Sequence, residues 1–332
     1  MKTVLTGIKP TGEVHIGNLL GAIKPAIDMS NSGVYDRAIF FVADAHALTG
    51  NLAARDFKEY VYSIAATWIA LGLDTKKCIF FKQSDVSEVF ELTWFLNCKT
   101  PKGDMNRAHS YKDKVQKNLE LEKDPDLGIN MGLFDYPVLM SADILLYDTN
   151  VVPVGKDQIQ HVEIARSIAQ RINEHYKKEV LIEPQEIIQK NGSYIPGLDG
   201  RKMSKSYSNI IPLWATEKKL KKTINKIKTD STPEEEPKDP NNCYIMELYK
   251  LFATNDQVKS LEKRYLEGIG WGHAKAELFN VVNEKLSDPR KKYFHLMENK
   301  HLIDEILAAG AEKAKIIAIE TMSRVRKAMT DF

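Results

Sequence analysis

Cysteine is scarce in this chain of 332 residues, and the three that occur, Cys78, Cys98 and Cys243, are far apart with no C-x-x-C pair. That scatter excludes a disulfide framework and a structural zinc site, and it predicts reduced, mostly buried thiols and no metal held by the protein. Long apolar runs are missing too. None approaches the length that spans a bilayer, and the first residues lack the basic-then-apolar order of a signal peptide, so no membrane partner and a cytoplasmic location are expected. No internal repeat is present. Nor does one sign of charge dominate: 47 basic against 45 acidic residues leave a formal charge of +2, so a nucleic-acid partner has to be argued from the distribution of charge.

What is present is an ordinary globular composition, 43% hydrophobic and 28% charged, with length enough for a large domain and a smaller one. The first twenty residues organise it. Met1 to Ile8 is rich in strand formers and runs into a turn, Gly7 to Gly12, and then into His15-Ile-Gly-Asn18 at the head of an apolar helix. Glycines that admit a close ligand, followed by the unpaired N–H groups of a helix N-terminus, are the elements of a phosphate site. A second loop, Lys202-Met-Ser-Lys-Ser206, carries two lysines and two serines about a domain's length away.

Between these loops the apolar runs Arg37–Ala43 and Lys77–Gln83 predict strands buried on both faces. The helical spacing from Phe57 to Leu73 lies between them, and this alternation predicts a doubly wound parallel α/β sheet whose ligands sit beyond the strands' carboxyl ends. From Val89 to about Leu133 the pattern is helical with a charged loop over Lys112–Asp126. Val151–Val154 predicts a further strand, and Gly155-Lys-Asp-Gln158 opens a long helix in which Asp157 could serve as an N-terminal cap. After Leu213 the spacing predicts helices over Glu217–Lys228, Tyr244–Ala253, Asp256–Glu267, Ala274–Leu286, Pro289–Asn299 and His301–Met329, with a domain boundary near Ser208 and a loop over Thr229–Asn242. Two basic faces lie in this part, Lys218 to Lys228 and Lys313 to Lys327. Within the apolar Tyr136–Tyr147, Asp143 needs a partner, because a buried unpaired carboxylate is costly.

Pro10 to Asn18 resembles the HIGH signature, and Lys202–Ser206 the KMSKS signature, of class I aminoacyl-tRNA synthetases. Gly132–Tyr147 and Val152–His161 resemble the amino-acid pocket and ribose loop of the tryptophanyl-tRNA synthetases. The resemblance covers the chain from Met1 to its last helix. It implies a Rossmann-like catalytic domain over 1–207, with a helical insertion at about 89–133 that forms a homodimer interface, and an α-helical tRNA-binding domain over 208–332. The substrates it implies are ATP with Mg2+, L-tryptophan and tRNA(Trp). For the ATP side it implies Lys9, Pro10, Thr11, Gly17, Asn18, Gly155, Lys156, Asp157, Tyr194, Lys202, Met203, Ser204, Lys205 and Ser206, with His15, Asn18, Lys112, Lys202 and Lys205 in catalysis. For tryptophan it implies Leu5, Gly7, His46, Tyr136, Met140, Asp143, Ile144 and Gln158. His15 and Lys9 depart from the pattern of many members, which carry Thr and Gln there. The cysteine spacing of members with an iron–sulfur cluster is absent.

The chemistry agrees with those roles. A carboxylate attacking the α-phosphate of ATP is already ionised, so it requires positioning and neutralisation of charge rather than a general base. Indole offers a donor only, and an ionised Asp143 is an acceptor only. Rival readings are a tyrosyl-tRNA synthetase, a small-molecule adenylating ligase of the same superfamily, and a catalytically inert RNA-binding paralogue.

Overall fold

The computed structural model describes residues 1–50, 52–188 and 194–331. Among them, β1 (Thr3–Ile8), β2 (Arg37–Val42), β3 (Ile79–Lys82), β4 (Val151–Val154) and β5 (Gln185–Ile188) form one parallel sheet in the order β3-β2-β1-β4-β5. Thr3 lies opposite Arg37 and Ile8 opposite Val42, while Ile39 pairs with Ile79, Val4 with Val151, and Val151 with Gln185. Side chains alternate between the faces. Val4, Ala38, Phe40, Val42 and Phe80 join one buried cluster, and Leu5, Ile39, Phe41, Ala43 and Phe81 join the other. Trp68 and Ile64 of the helix Ala54–Ala70 pack on the first face, and the helices Met131–Leu145 and Ile159–Tyr176 cover the second.

Four strands fall where the apolar runs place them. β5 was not expected, because Gln185-Glu-Ile-Ile188 is a largely exposed edge strand with no buried run to mark it. The charged stretch expected as a loop is helical as far as Glu120, in the helix His109–Glu120. Lysine, glutamine and glutamate favour helix there, and the buried Asn118 secures the following turn by donating to the carbonyls of Pro125 and Leu127, each at 2.9 Å. The two helices expected on either side of Pro289 are a single one, Trp271–Glu298. Its buried stripe, Leu278, Val281, Val282, Leu286, Tyr293 and Leu296, continues past the proline, and that burial outweighs the lost backbone bond. In the loop after Thr229, Lys238 is buried and donates to the carbonyls of Pro233 at 2.5 Å and Glu236 at 3.0 Å. Cys78 and Cys243 are buried and Cys98 is exposed. No helix among the described residues is long and apolar enough to cross a membrane.

The last helix, Lys300–Met329, straddles the outer strand β3. Its first half (Ile303, Leu307) belongs to one face's cluster and its second half (Ala311, Ala314, Ile317, Ala318, Met322, Val325) to the other's. Gly310, at the crossing point, lies so close to Phe80 that a Cβ there would overlap its backbone carbonyl. Gly310→Ala should therefore cost about 1–3 kcal/mol, the usual range for overpacking, and lower the urea midpoint. An unchanged midpoint would mean that the helix is not seated on β3.

Candidate active site

The chain builds β1, β2 and β3 outward on one side, then returns to lay β4 and β5 on the other. Beyond the carboxyl ends of β1 and β4, where the order reverses, lies a cavity of about 610 Å³. Such a switch point is where open α/β sheets hold ligands. Its walls are apolar, from Leu5, Phe41, Ala43, Met140, Ile144 and Val152. Gly7 admits the Phe41 ring to the strand's surface, since a Cβ at that position would overlap the ring. All eight residues expected on the amino-acid side, Leu5, Gly7, His46, Tyr136, Met140, Asp143, Ile144 and Gln158, line this one cavity, as do Lys9 and Gly155 from the ATP side.

Asp143, on the helix Met131–Leu145, is 2% exposed. Burial pushes its carboxyl up from the ordinary carboxylate value, and the bonds to His46 and Gln83 pull it back. His46 Nε2 lies 2.8 Å from Oδ2, and Gln83 Nε2 donates to Oδ1 at 2.7 Å. An ionised carboxylate has about four acceptor positions, so capacity remains for a ligand's donor. Nearby, Tyr136 Oη lies 2.8 Å from His161 Nε2, and burial holds the His161 imidazole down at about 4, with the neighbouring His109 adding to the effect. Gln158 Nε2 donates to Asp157 Oδ2 at 3.0 Å, so Asp157 does not cap the helix Ile159–Tyr176, whose N-cap is Gln158.

The two signature loops are joined through backbone. Ile16 N–H donates to Ile211 O at 3.0 Å and Leu213 N–H to Val14 O at 2.9 Å, so the segment following Ser206 runs beside the first loop. Gly17 N–H points at Met203 Sδ, 3.3 Å away, and Lys205 Nζ donates to the Thr11 carbonyl beside Gly12, whose φ of +84° suits glycine. His15 is buried, and burial, aided by the Lys205 charge, lowers its pKa to about 4, so its imidazole is neutral. Asn18 turns its Oδ1 back to accept from His15 N–H at 3.1 Å. Partial desolvation also lowers the ammonium pKa of Lys9 and of Lys205. Lys9 Nζ donates to Thr49 Oγ1 at 2.9 Å, at the cavity's mouth.

Pro10, Thr11, His15, Gly17, Asn18 and the Lys202–Ser206 loop form this second cluster outside the apolar cavity, and Lys156 and Asp157 sit exposed at its β4 end. Lys112 is exposed on the helix His109–Glu120 and does not line the cavity, whereas Ser110 of the same helix does. Tyr194 donates to the Gly200 carbonyl rather than standing free. The sequence reading missed Gln83 and Asn209. Asn209, 2% exposed, accepts from Ser204 N–H at 2.8 Å and donates to Asp199 Oδ1 at 2.7 Å and to Lys202 O at 3.2 Å, knotting the lysine loop. A polar residue just after a loop of this kind was its only trace in the sequence. Gln83 ended a predicted strand, and nothing local distinguished it from a surface amide.

Residues 1–287 match the family model for tRNA synthetases class I (W and Y). The chain is 45% identical to the tryptophan–tRNA ligase of Neisseria meningitidis over 99% of its own length and 97% of that protein's. It is 46% identical to that of Pseudomonas syringae pv. tomato, covering 98% of this chain and 73% of the relative. The solved structure of the tryptophanyl-tRNA synthetase from Campylobacter jejuni, complexed with ADP and tryptophan, matches with a TM-score of 0.90 at 45% identity and covers 98% of both chains. A tyrosyl-tRNA synthetase from Archaeoglobus fulgidus, at 18% identity and a TM-score of 0.63, shares the fold.

The buried His161 makes a pH dependence of stability. Its pKa is lowered from 6.5 to about 4 on folding, so between these values the unfolded chain binds a proton that the folded chain does not, and stability falls as pH falls through that window. Urea midpoints measured across it should drop in the wild type, and His161→Gln should show a slope shallower by about one proton. An equal slope in the variant would mean that His161 titrates normally.

Proposed function

Because this chain belongs to the class I tRNA synthetases of the tryptophan and tyrosine family, its chemistry is amino-acid activation by ATP followed by transfer to tRNA, and we propose that it makes tryptophanyl-tRNA(Trp). The observation that carries the choice of amino acid is Asp143: as a carboxylate it accepts without donating, and it lines a cavity that it shares with the apolar Leu5, Phe41, Ala43, Met140, Ile144 and Val152. Tyrosine would bring a hydroxyl that both donates and accepts. The near-full-length relatives of known specificity are tryptophan enzymes, and the tyrosine enzymes share only the fold.

In the first half-reaction the α-carboxylate of tryptophan attacks the α-phosphate of ATP, giving tryptophanyl-adenylate and pyrophosphate. Tyr136 and Gln158 are suited to hold the α-ammonium group, and Asp157 with Gly155 and Lys156 to meet the ribose side. His15, neutral at physiological pH, can donate to phosphate without adding charge. Lys202 and Lys205 supply the positive charge that grows in value as negative charge moves onto pyrophosphate, while Lys9, Thr11, Gly17, Asn18, Ser204 and Ser206 complete the cradle. No group of three or more His, Cys, Asp or Glu side chains among the described residues is placed to hold a metal ion. Magnesium is accordingly assigned to ATP's own phosphate oxygens, as part of the substrate.

The second half-reaction needs a tRNA surface. Lys218, Lys222, Lys226 and Lys228, on and beyond the helix Glu217–Ile224, are exposed and enter no ion pair among the described residues. The other basic face is partly spent inside the molecule, where Arg324 pairs with Asp148 at 2.5 Å and Arg326 with Glu91 at 2.5 Å. A division into a catalytic part, 1–207, and a tRNA-binding part, 208–332, follows from this reading. A homodimer through the 89–133 region is supported by Phe90 and Trp94, exposed at 43% and 70%. A cytoplasmic location fits a role in protein synthesis.

The assay is ATP–pyrophosphate exchange with each standard amino acid. Tryptophan alone should support exchange. Asp143→Ala should lose activity severely, and Lys205→Ala should lose roughly 10²–10³ in rate with tryptophan KM little changed. Tyrosine-dependent exchange would transfer the chain to the other specificity, and exchange with no amino acid would overturn the reading. Reversing the charges of Lys218, Lys222 and Lys226 together should weaken tRNA binding and flatten its salt dependence by about one slope unit per contact, leaving exchange intact. An unchanged slope would make that face plain surface.

A further inference from the structure

Gln83 does not line the cavity, yet it is 1% exposed and touches the one carboxylate that does. It follows β3 directly, in the short 3-10 turn Gln83–Asp85. Ala45 N–H donates to its Oε1 at 3.1 Å, which fixes the orientation of the amide, so the end presented to Asp143 Oδ1, at 2.7 Å, is the N–H end. Ala45 belongs to the short helix Asp44–Ala47, which also carries His46 to the other carboxylate oxygen. We propose that Gln83 is a positioning residue for amino-acid selection, holding Asp143 as an acceptor aimed at the substrate's ring N–H. This rests on the proposed function and deepens it.

The charges around Asp143 make the amide necessary. On the helix that carries His46, Asp44 adds a like charge, although Ser84 N–H and Oγ–H donate to it at 3.0 and 2.6 Å. On the turn after the carboxylate's own helix, Tyr147 is buried and stays protonated, and Glu88 on the helix Glu88–Asn97 faces that tyrosine. Burial and Asp44 therefore favour a protonated Asp143, and His46 with Gln83 oppose them. A protonated carboxyl can donate as well as accept. It would tolerate a ring isostere in which sulfur replaces the indole N–H, a ligand that leaves an ionised carboxylate stranded. Selection against such isosteres thus depends on a residue the substrate never touches.

The test compares wild type, Gln83→Met and Gln83→Glu in ATP–pyrophosphate exchange with L-tryptophan and with benzothienylalanine, the sulfur isostere, over a range of pH. Gln83→Glu keeps the acceptor for Ala45 N–H, replaces the amide donor with a second carboxyl that opposes ionisation of Asp143, and carries the test if Gln83→Met does not fold. In both variants the tryptophan KM should rise about tenfold or more at neutral pH, the scale of a lost hydrogen bond to a charged group. The kcat should change far less. The ratio of kcat/KM for tryptophan over the isostere should shrink by about tenfold, and raising the pH should restore it by ionising Asp143. Equal losses for both amino acids at every pH, or no change in either, would overturn the inference while leaving the proposed function standing. A wild type without tryptophan-dependent exchange would overturn the function first and this inference with it.

Discussion

A carboxylate buried under an apolar wall is the constraint on which the amino-acid side of this molecule depends. Asp143 cannot be satisfied by its own helix, whose polar groups are already paired, so its donors come from elsewhere: His46 from the turn after β2 and Gln83 from the turn after β3. Both turns reach it only because the three-strand half of the sheet places their carboxyl ends on the same side as the cavity. The sheet order therefore has a chemical reason here. It delivers two donors to one carboxylate and leaves the remaining acceptor capacity at the cavity wall.

The phosphate side follows another logic. Its cations are only partly desolvated, and its stiffness lies in the backbone, where Ile16 and Val14 are paired with Ile211 and Leu213, and in Asn209, which binds the lysine loop from below. The cavity around Asp143 thus adjoins a cluster of cations in which Lys205 donates to a backbone carbonyl and Lys9 to a hydroxyl. On the proposed function, the first discriminates through directional bonds that fail when a donor is missing. On the same reading the second stabilises charge, which tolerates small displacements.

Much of this was legible in the chain. β2 and β3 announce themselves through apolar runs buried on both faces and β1 and β4 through their strand formers, whereas β5 does not because it is a largely exposed edge. The two lysines and the His15–Asn18 turn were legible because phosphate chemistry demands those residue types in short loops. Asp143 stood out as a lone charge among apolar neighbours. Gln83 and Asn209 stayed hidden because their roles depend on partners 60 and 5 residues away, across turns whose geometry no local pattern specifies. Pro289 misled in the opposite direction: a local breaker was overridden by a tertiary stripe that continues through it. Arg324 and Arg326 counted toward a basic face until their acidic partners on distant segments were seen.

The seat of the last helix on β3 bears on how the protein is made. Phe80 is synthesised long before Gly310, so on the ribosome the outer edge of the sheet stands open, its N–H and C=O groups unpaired, through most of translation. During that interval the nascent chain offers a parallel strand edge of Ile, Phe and Phe, which invites pairing with a neighbouring chain. Until the last helix arrives that edge stays uncovered, so the vulnerable moment for this enzyme is its birth.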